Sequence, residues 1–172
     1  MKLKTLAVFA LAGVNWPMRL EETTMSHAHA QPASGADLRQ AVPFFHVSDL
    51  KASLRFYIDG LGFEMRNSWP AAGDIRWCWL QRDAVAFMLQ QFLTTSGEVR
   101  PPPPNAGEGV SVCVMCADAL TVWREARRAG IAVERPVVGN GLWVTSLRDP
   151  DGYRLDFESP TDAAEESVYT GD

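Results

Sequence analysis

Cysteine is scarce in this sequence, and positive charge is outnumbered. Three cysteines, Cys78, Cys113 and Cys116, are an odd, sparse set and cannot form the disulfide framework that staples small secreted domains. Lys and Arg total 16 against 21 Asp and Glu, a net charge of -5, so there is no basic surplus to neutralise a phosphate backbone or an anionic lipid surface. Neither nucleic acid nor membrane is an expected partner. The apolar run Thr5-Leu-Ala-Val-Phe-Ala-Leu-Ala12 falls far short of the roughly 20 residues that span a bilayer. What is present, 172 residues of which 47% are hydrophobic and 22% charged, suits one globular core.

Residues 1–40 differ from the rest and read as an N-terminal extension. Met1-Lys-Leu-Lys4 and the short apolar run after it imitate a signal peptide, while Met25-Ser-His-Ala-His29 reads as a second start. We expect a cytoplasmic protein, with export the alternative if residues 1–12 are a true signal. His27 and His29, in this polar tail, read as solvated residues.

From Val42 onward the chain reads the same way twice. Val42–Val47 is an apolar strand, Asp49 offers a helix N-cap, and Leu50, Leu54, Tyr57, Ile58 and Leu61 recur at helical spacing before Gly60 and Gly62. Strands are expected at Phe63–Ser68, Ile75–Gln81 and Ala84–Gln91. The proline-rich segment 93–107 suits neither helix nor central strand and serves as a linker. The order then recurs: strand Val110–Cys116, N-cap Asp118, a helix with Leu120, Trp123 and Ala126 on one side, Gly130 at its end, and strands Ile131–Arg135, Leu142–Leu147 and Tyr153–Glu158. This self-similarity predicts an α+β fold of two tandem βαβββ units, residues 41–92 and 108–160. A poorly packed C-terminal tail is expected at 161–172.

Cys113-Val-Met-Cys116 has the spacing of a zinc or redox pair, but it lies in a β-branched run that reads as a buried strand. Residues three apart on a strand point to opposite faces, so these are expected to be packing cysteines rather than a chelate.

Phe45-His-Val-Ser-Asp-Leu-Lys-Ala-Ser-Leu-Arg-Phe-Tyr-Ile-Asp-Gly-Leu-Gly-Phe63 resembles the opening motif of vicinal oxygen chelate proteins, the superfamily of glyoxalase I, bleomycin-resistance proteins and extradiol dioxygenases. Leu147-Arg-Asp-Pro-Asp-Gly-Tyr-Arg-Leu-Asp-Phe-Glu158 resembles that family's final turn and strand. The resemblance, covering residues 41–160, implies that the units curl into an open barrel-like cavity, often completed in a homodimer. In its metal-dependent members four strand positions hold a divalent ion. Here those positions fall at Val42, Met88, at or beside Val112, and at Asp156, so only Asp156 matches. Apolar side chains cannot replace N, S or O ligands, and His46, on the face of Val42, lies about 13 Å further along the strand. The expectation is therefore a protein nearest the non-metal bleomycin-resistance-like members, with no cofactor, and with binding favoured over catalysis. It would capture a small aromatic or cationic molecule as a homodimer. The alternative is a metal-dependent lyase, isomerase or dioxygenase of the same superfamily.

Seven residues are candidates to bind that ligand. His46 reads either as a cavity-facing hydrogen-bonding group or base, or as a half-buried core histidine. Trp77 and Trp79 alternate around Cys78 and share a strand face; with Trp143 they could form aromatic walls, core packing being the plainer reading. Met88 and Gln90 share a face suited to binding rather than to polarising a carbonyl. Asp156, taken as an unpaired carboxylate, would favour cations over anions.

Overall fold

The computed structural model describes residues 39–100 and 107–172. The readings of residues 1–38, including the signal-like segment, the second start and both tail histidines, lie outside the described residues, as do the consecutive prolines of the linker. Among the described residues no helix is long and apolar enough to cross a membrane.

Both βαβββ units are present. In the first, β1 (Phe44–Val47), β2 (Glu64–Trp69), β3 (Trp77–Arg82) and β4 (Val85–Gln91) form a sheet of order β1-β4-β3-β2. In the second, β5 (Ser111–Met115), β6 (Val137–Gly139), β7 (Leu142–Arg148) and β8 (Arg154–Pro160) repeat that order as β5-β8-β7-β6. In each sheet the first strand runs parallel to the last and the others pair antiparallel. The sheets remain separate and open, so a single chain does not close a barrel.

The helices follow the expected capping. Asp49 accepts from the amides of Lys51 and Ala52 at 2.9 and 3.1 Å at the start of α1 (Leu50–Leu54), and Asp118 accepts from Leu120 at 2.8 Å before α2 (Ala119–Arg128). The first helix departs from expectation after Leu54: Arg55–Gly60 widens into a π-helical turn, which carries Tyr57 fully into the core. Ala119, Val122, Trp123 and Ala126 recur at helical spacing and bury one face of α2 against the second sheet; a large apolar side chain so buried contributes about 1.5–3 kcal/mol. Trp123 alone among the described residues has a buried side-chain donor, its indole N–H, without a partner.

One strand is displaced. Ile131–Arg135 is not a strand; Ile131 and Val133 instead pack against the core, and the short β6 follows the buried Pro136. Its position is set by the turn Asn140-Gly141, both in the left-handed region at φ 55° and 72°, the geometry that closes two-residue hairpins.

The units meet through aromatic and polar contacts. Phe45 stacks on Tyr153 at 4.2 Å, the Tyr153 hydroxyl donates to the His46 carbonyl at 3.2 Å, and the Ser48 amide donates to the Asp151 carboxylate at 3.0 Å. Arg82 of β3 pairs with Glu125 of α2 at 3.0 Å.

The segment 161–172, expected to pack poorly, packs against the second unit. The compact unit runs from Gln40 to Asp172, and Tyr169 contacts both Trp123 and Trp143. The Tyr169 ring and the backbone hydrogen bonds to β6 anchor it.

Candidate functional site

Each sheet turns one face to its helix and leaves the other open. On the helix side of the first sheet lie Phe45, Val47, Cys78, Leu80, Phe87 and Leu89, all buried. Register places the alternate residues together on the opposite face: Phe44 beside Met88, His46 beside Gln90, Trp79 beside Met88 and Trp77 beside Gln90. Asn67 pairs with Trp79 and Trp69 with Trp77, extending the face onto β2. Five expected residues, His46, Trp77, Trp79, Met88 and Gln90, therefore share one open, half-buried surface.

Three neighbours of this surface were not among the expected residues. Phe44, 45% exposed, and Trp69, 64% exposed, are its most open aromatic side chains. Strand parity from His46 identifies Phe44. A β-bulge between Met65 and Asn67 shifts the register of β2, so parity alone does not place Trp69 or Asn67. The His46 ring sits edge-on to Phe44 at 5.0 Å and to Phe92 at 5.4 Å. It is held by rings rather than by a charged partner, an arrangement that serves contact and hydrogen bonding more than base catalysis.

The second sheet's open face mixes polar side chains with Met115 and Val144. Cys113 lies beside Asp156, Met115 beside Glu158, and Ser146 beside Asp156. Asp156 does not belong to the aromatic group, nor is it unpaired: its Oδ1 accepts from Ser146 Oγ at 2.6 Å and from Arg154 Nε at 2.9 Å. The charge argument for a cationic ligand loses this carboxylate, because Arg154 already neutralises it. Cys113 is exposed, not the packing residue expected, because the face it occupies carries no helix. Partial burial, and then the neighbouring Glu158 carboxylate, push its thiol pKa up, which disfavours a reactive thiolate at neutral pH. Cys116 stands apart, and the two do not form a chelate.

Trp143 lies on the wrong face for the site. It shares its side of β7 with the buried Thr145 and Leu147, and its ring is edge-on to Tyr169 at 5.8 Å. The core-packing reading applies to this residue.

The donor set does not fit a divalent metal. Val42 and Met88 offer no suitable ligand atom, Val112 pairs with the buried Leu155 on the helix side, and Asp156 is occupied by Arg154 and Ser146. Among the described residues no three His, Cys, Asp or Glu side chains come together. Two solvent-open grooves, of about 400 and 510 Å³, lie at the other end of the units around Gly62 and Arg82, away from the aromatic face. Their linings mix acids with Arg66, Arg82 and Arg128, the first two ion-paired with Glu64 and Glu125, and the aromatic surface is the better candidate.

A family model described as the Glyoxalase/Bleomycin resistance protein/Dioxygenase superfamily matches residues 39–157. The chain belongs to that superfamily. Among solved members of similar fold, a bleomycin resistance determinant encoded on the transposon Tn5 is 24% identical, with a TM-score of 0.55 over 73% of this chain and 100% of that one. TnmS3, an antibiotic binding protein from Streptomyces sp. CB03234, is 19% identical, with a TM-score of 0.54 over 72% and 98%. A bleomycin-binding protein complexed with bleomycin is 22% identical, with a TM-score of 0.52 over 73% and 100%. At these identities the likeness concerns the superfamily's fold. No curated protein matches the sequence.

Proposed function

We propose that this superfamily member captures a flat aromatic small molecule without a metal, on the open face of its first sheet. The observation that carries this is the convergence of Phe44, Trp69, Trp77, Trp79 and Met88 around His46 and Gln90. Aromatic surface buries a flat ring with offset stacking, while the imidazole and amide offer a few polar groups to orient it. Relatives of the same fold whose names mark them as bleomycin- or antibiotic-binding support this class of ligand. For a positively charged substituent, cation-π contact with tryptophan would contribute about 0.5–2 kcal/mol.

A second copy of the chain would complete the site. Phe44 and Trp69 on one sheet, and Met115, 57% exposed, and Val137, 41% exposed, on the other, leave apolar surface that a symmetric partner would cover. Light scattering at micromolar concentration should give the mass of a dimer, and a monomer mass would count against this part of the proposal.

Ligand capture is tested by titrating bleomycin and an acridine-type aromatic cation while following tryptophan fluorescence, in the native protein and in Trp77→Ala. Saturable quenching, weakened about tenfold or more by the substitution, is expected. Binding of phosphonates or glutathione conjugates with no response to aromatic probes would overturn the ligand class. One equivalent of tightly held zinc, iron, nickel or manganese in untagged protein would overturn the metal-free reading.

A further inference from the structure

The segment after β8 does more than end the chain. Thr161 donates its amide to Gly141 O at 3.0 Å, and the chain then turns back along β6. Glu166 donates to Val138 O at 3.0 Å, Val138 donates to Ser167 O at 2.9 Å, and Tyr169 donates to Pro136 O at 2.9 Å. Val168 faces Val137 across an antiparallel bridge. The family match stops at residue 157, so this added edge lies beyond it.

Side chains fasten it at both ends. The Glu165 carboxylate accepts from the amides of Asn140 and Gly141 at 2.6 and 3.3 Å, at the tip of the β6–β7 hairpin. The Tyr169 ring lies edge-on to Trp123 at 5.4 Å and to Trp143 at 5.8 Å, and its hydroxyl accepts from Arg124 at 2.9 Å. Arg135 donates to the carbonyls of Tyr169 and Gly171 at 3.0 and 3.1 Å.

We propose that residues 161–172 form a detachable strap, and that the groove it fills, the β6 edge with the Trp123–Trp143 aromatic notch and the Arg124 and Arg135 guanidiniums, is a binding site for an extended tyrosine-bearing peptide. Recognition is by strand addition: backbone bonds to β6 supply adhesion, and the tyrosine in its notch supplies register. Contacts made by single β-bridges and exposed hydrogen bonds open below the free energy of global unfolding, so the strap releases while the two sheets stay folded. With the strap docked, β6 is not a free edge for pairing between copies, and association is left to the open faces.

The test uses a fluorescently labelled peptide of residues 161–172 and two proteins, the full chain and a chain ending at Pro160. Polarisation should show binding to the shortened chain and at least about tenfold weaker binding to the full chain, whose groove is occupied. A Tyr169→Ala peptide should bind the shortened chain at least about tenfold more weakly than the native peptide. Equal binding of both peptides, or none by a shortened chain with an intact circular dichroism spectrum, overturns the proposal. Should the shortened chain fail to fold, amide exchange in the full chain decides. Glu166, Tyr169 and Val138 should exchange together and faster than the β7–β8 ladder; exchange no faster than that ladder means that no strap opens, and sinks the idea.

Discussion

The Tyr57 hydroxyl of the first unit donates to Asp149 Oδ2 of the second at 3.2 Å, with both side chains buried. Asp149 Oδ1 meanwhile accepts from the amides of Asp151 and Tyr153 at 3.0 and 2.9 Å. One carboxylate thus shapes the Asp-Pro-Asp-Gly turn and ties it to the other unit. Burial, and then the charge of Asp149, raise the Tyr57 pKa well above its ordinary value, so the phenol stays protonated as a donor.

Tyr57→Phe keeps the ring among Phe63 and Phe87 but removes that donor. A loss of about 1–3 kcal/mol in urea unfolding is expected, because a buried acceptor is left short of a partner. The same substitution should raise the Asp149 pKa further, since the tyrosine hydrogen bond lowers it. An unchanged unfolding midpoint would show that the contact contributes nothing net.

Burial pushes the Asp149 carboxyl up from 3.8 to about 6, the nearby Asp151 charge adding to the effect. A folded-state pKa above the unfolded one means that the folded chain binds the proton more tightly. This contribution is fully present below about pH 3.8 and is lost as pH rises through about 6; its size is about 3 kcal/mol. Asp149→Asn cannot titrate. The stability of the native protein relative to this variant should therefore grow as pH falls from 7.5 to 4, measured by urea midpoints at each pH. A difference independent of pH would refute the assignment.

Gly107, in the linker between units, sits against the turn that Asp149 organises. A Cβ there would lie 2.4 Å from Gly152 O and 2.5 Å from Gly152 C, and backbone cannot swing aside as a side chain can. Gly107→Ala should cost about 1–3 kcal/mol and lower the melting temperature, while Gly73→Ala, with open space around it but φ 87°, measures backbone strain without a clash. Equal effects of the two would remove the steric explanation.

Arg154 holds Asp156 out of play. Its removal in Arg154→Gln leaves a carboxylate whose side chain is 7% exposed with Ser146 as its remaining side-chain partner. Destabilisation of about 1–3 kcal/mol is expected, less than for a fully buried pair because the arginine is 40% exposed. Because Asp156 lies on the second sheet, apart from the aromatic face, an aromatic cation should bind this variant as it binds the native protein. Tighter binding of the cation alone would place Asp156 at the ligand site and overturn this separation.

Much of this molecule follows from local pattern. Asp49 and Asp118 cap helices because short acidic side chains reach free amides wherever a helix begins, and alternation around Cys78 places Trp77 and Trp79 on one face in any strand. The two motifs and their spacing carried the resemblance to the superfamily, while the repeated order of strand, capped helix and strands predicted the tandem units.

Other features depended on partners distant in sequence. Trp143 obeys the same alternation as Trp77, but only the packing of α2 and Tyr169 decides that its face is the covered one. Asp156 read as a free carboxylate because its neighbour on the opposing strand, Ser146, and the reach of Arg154 are set by register. The bulge in β2 brought Trp69 and Asn67 to the open face, and no residue type announces an extra residue in a ladder. Position along a strand is a local property, fixed by backbone geometry. Which side of the sheet meets a helix, a tail or open solvent is decided by contacts across the whole chain, and here those contacts place the aromatic residues of the first sheet in the open while they hold the half-buried Tyr169 against Trp123 and Trp143 of the second unit.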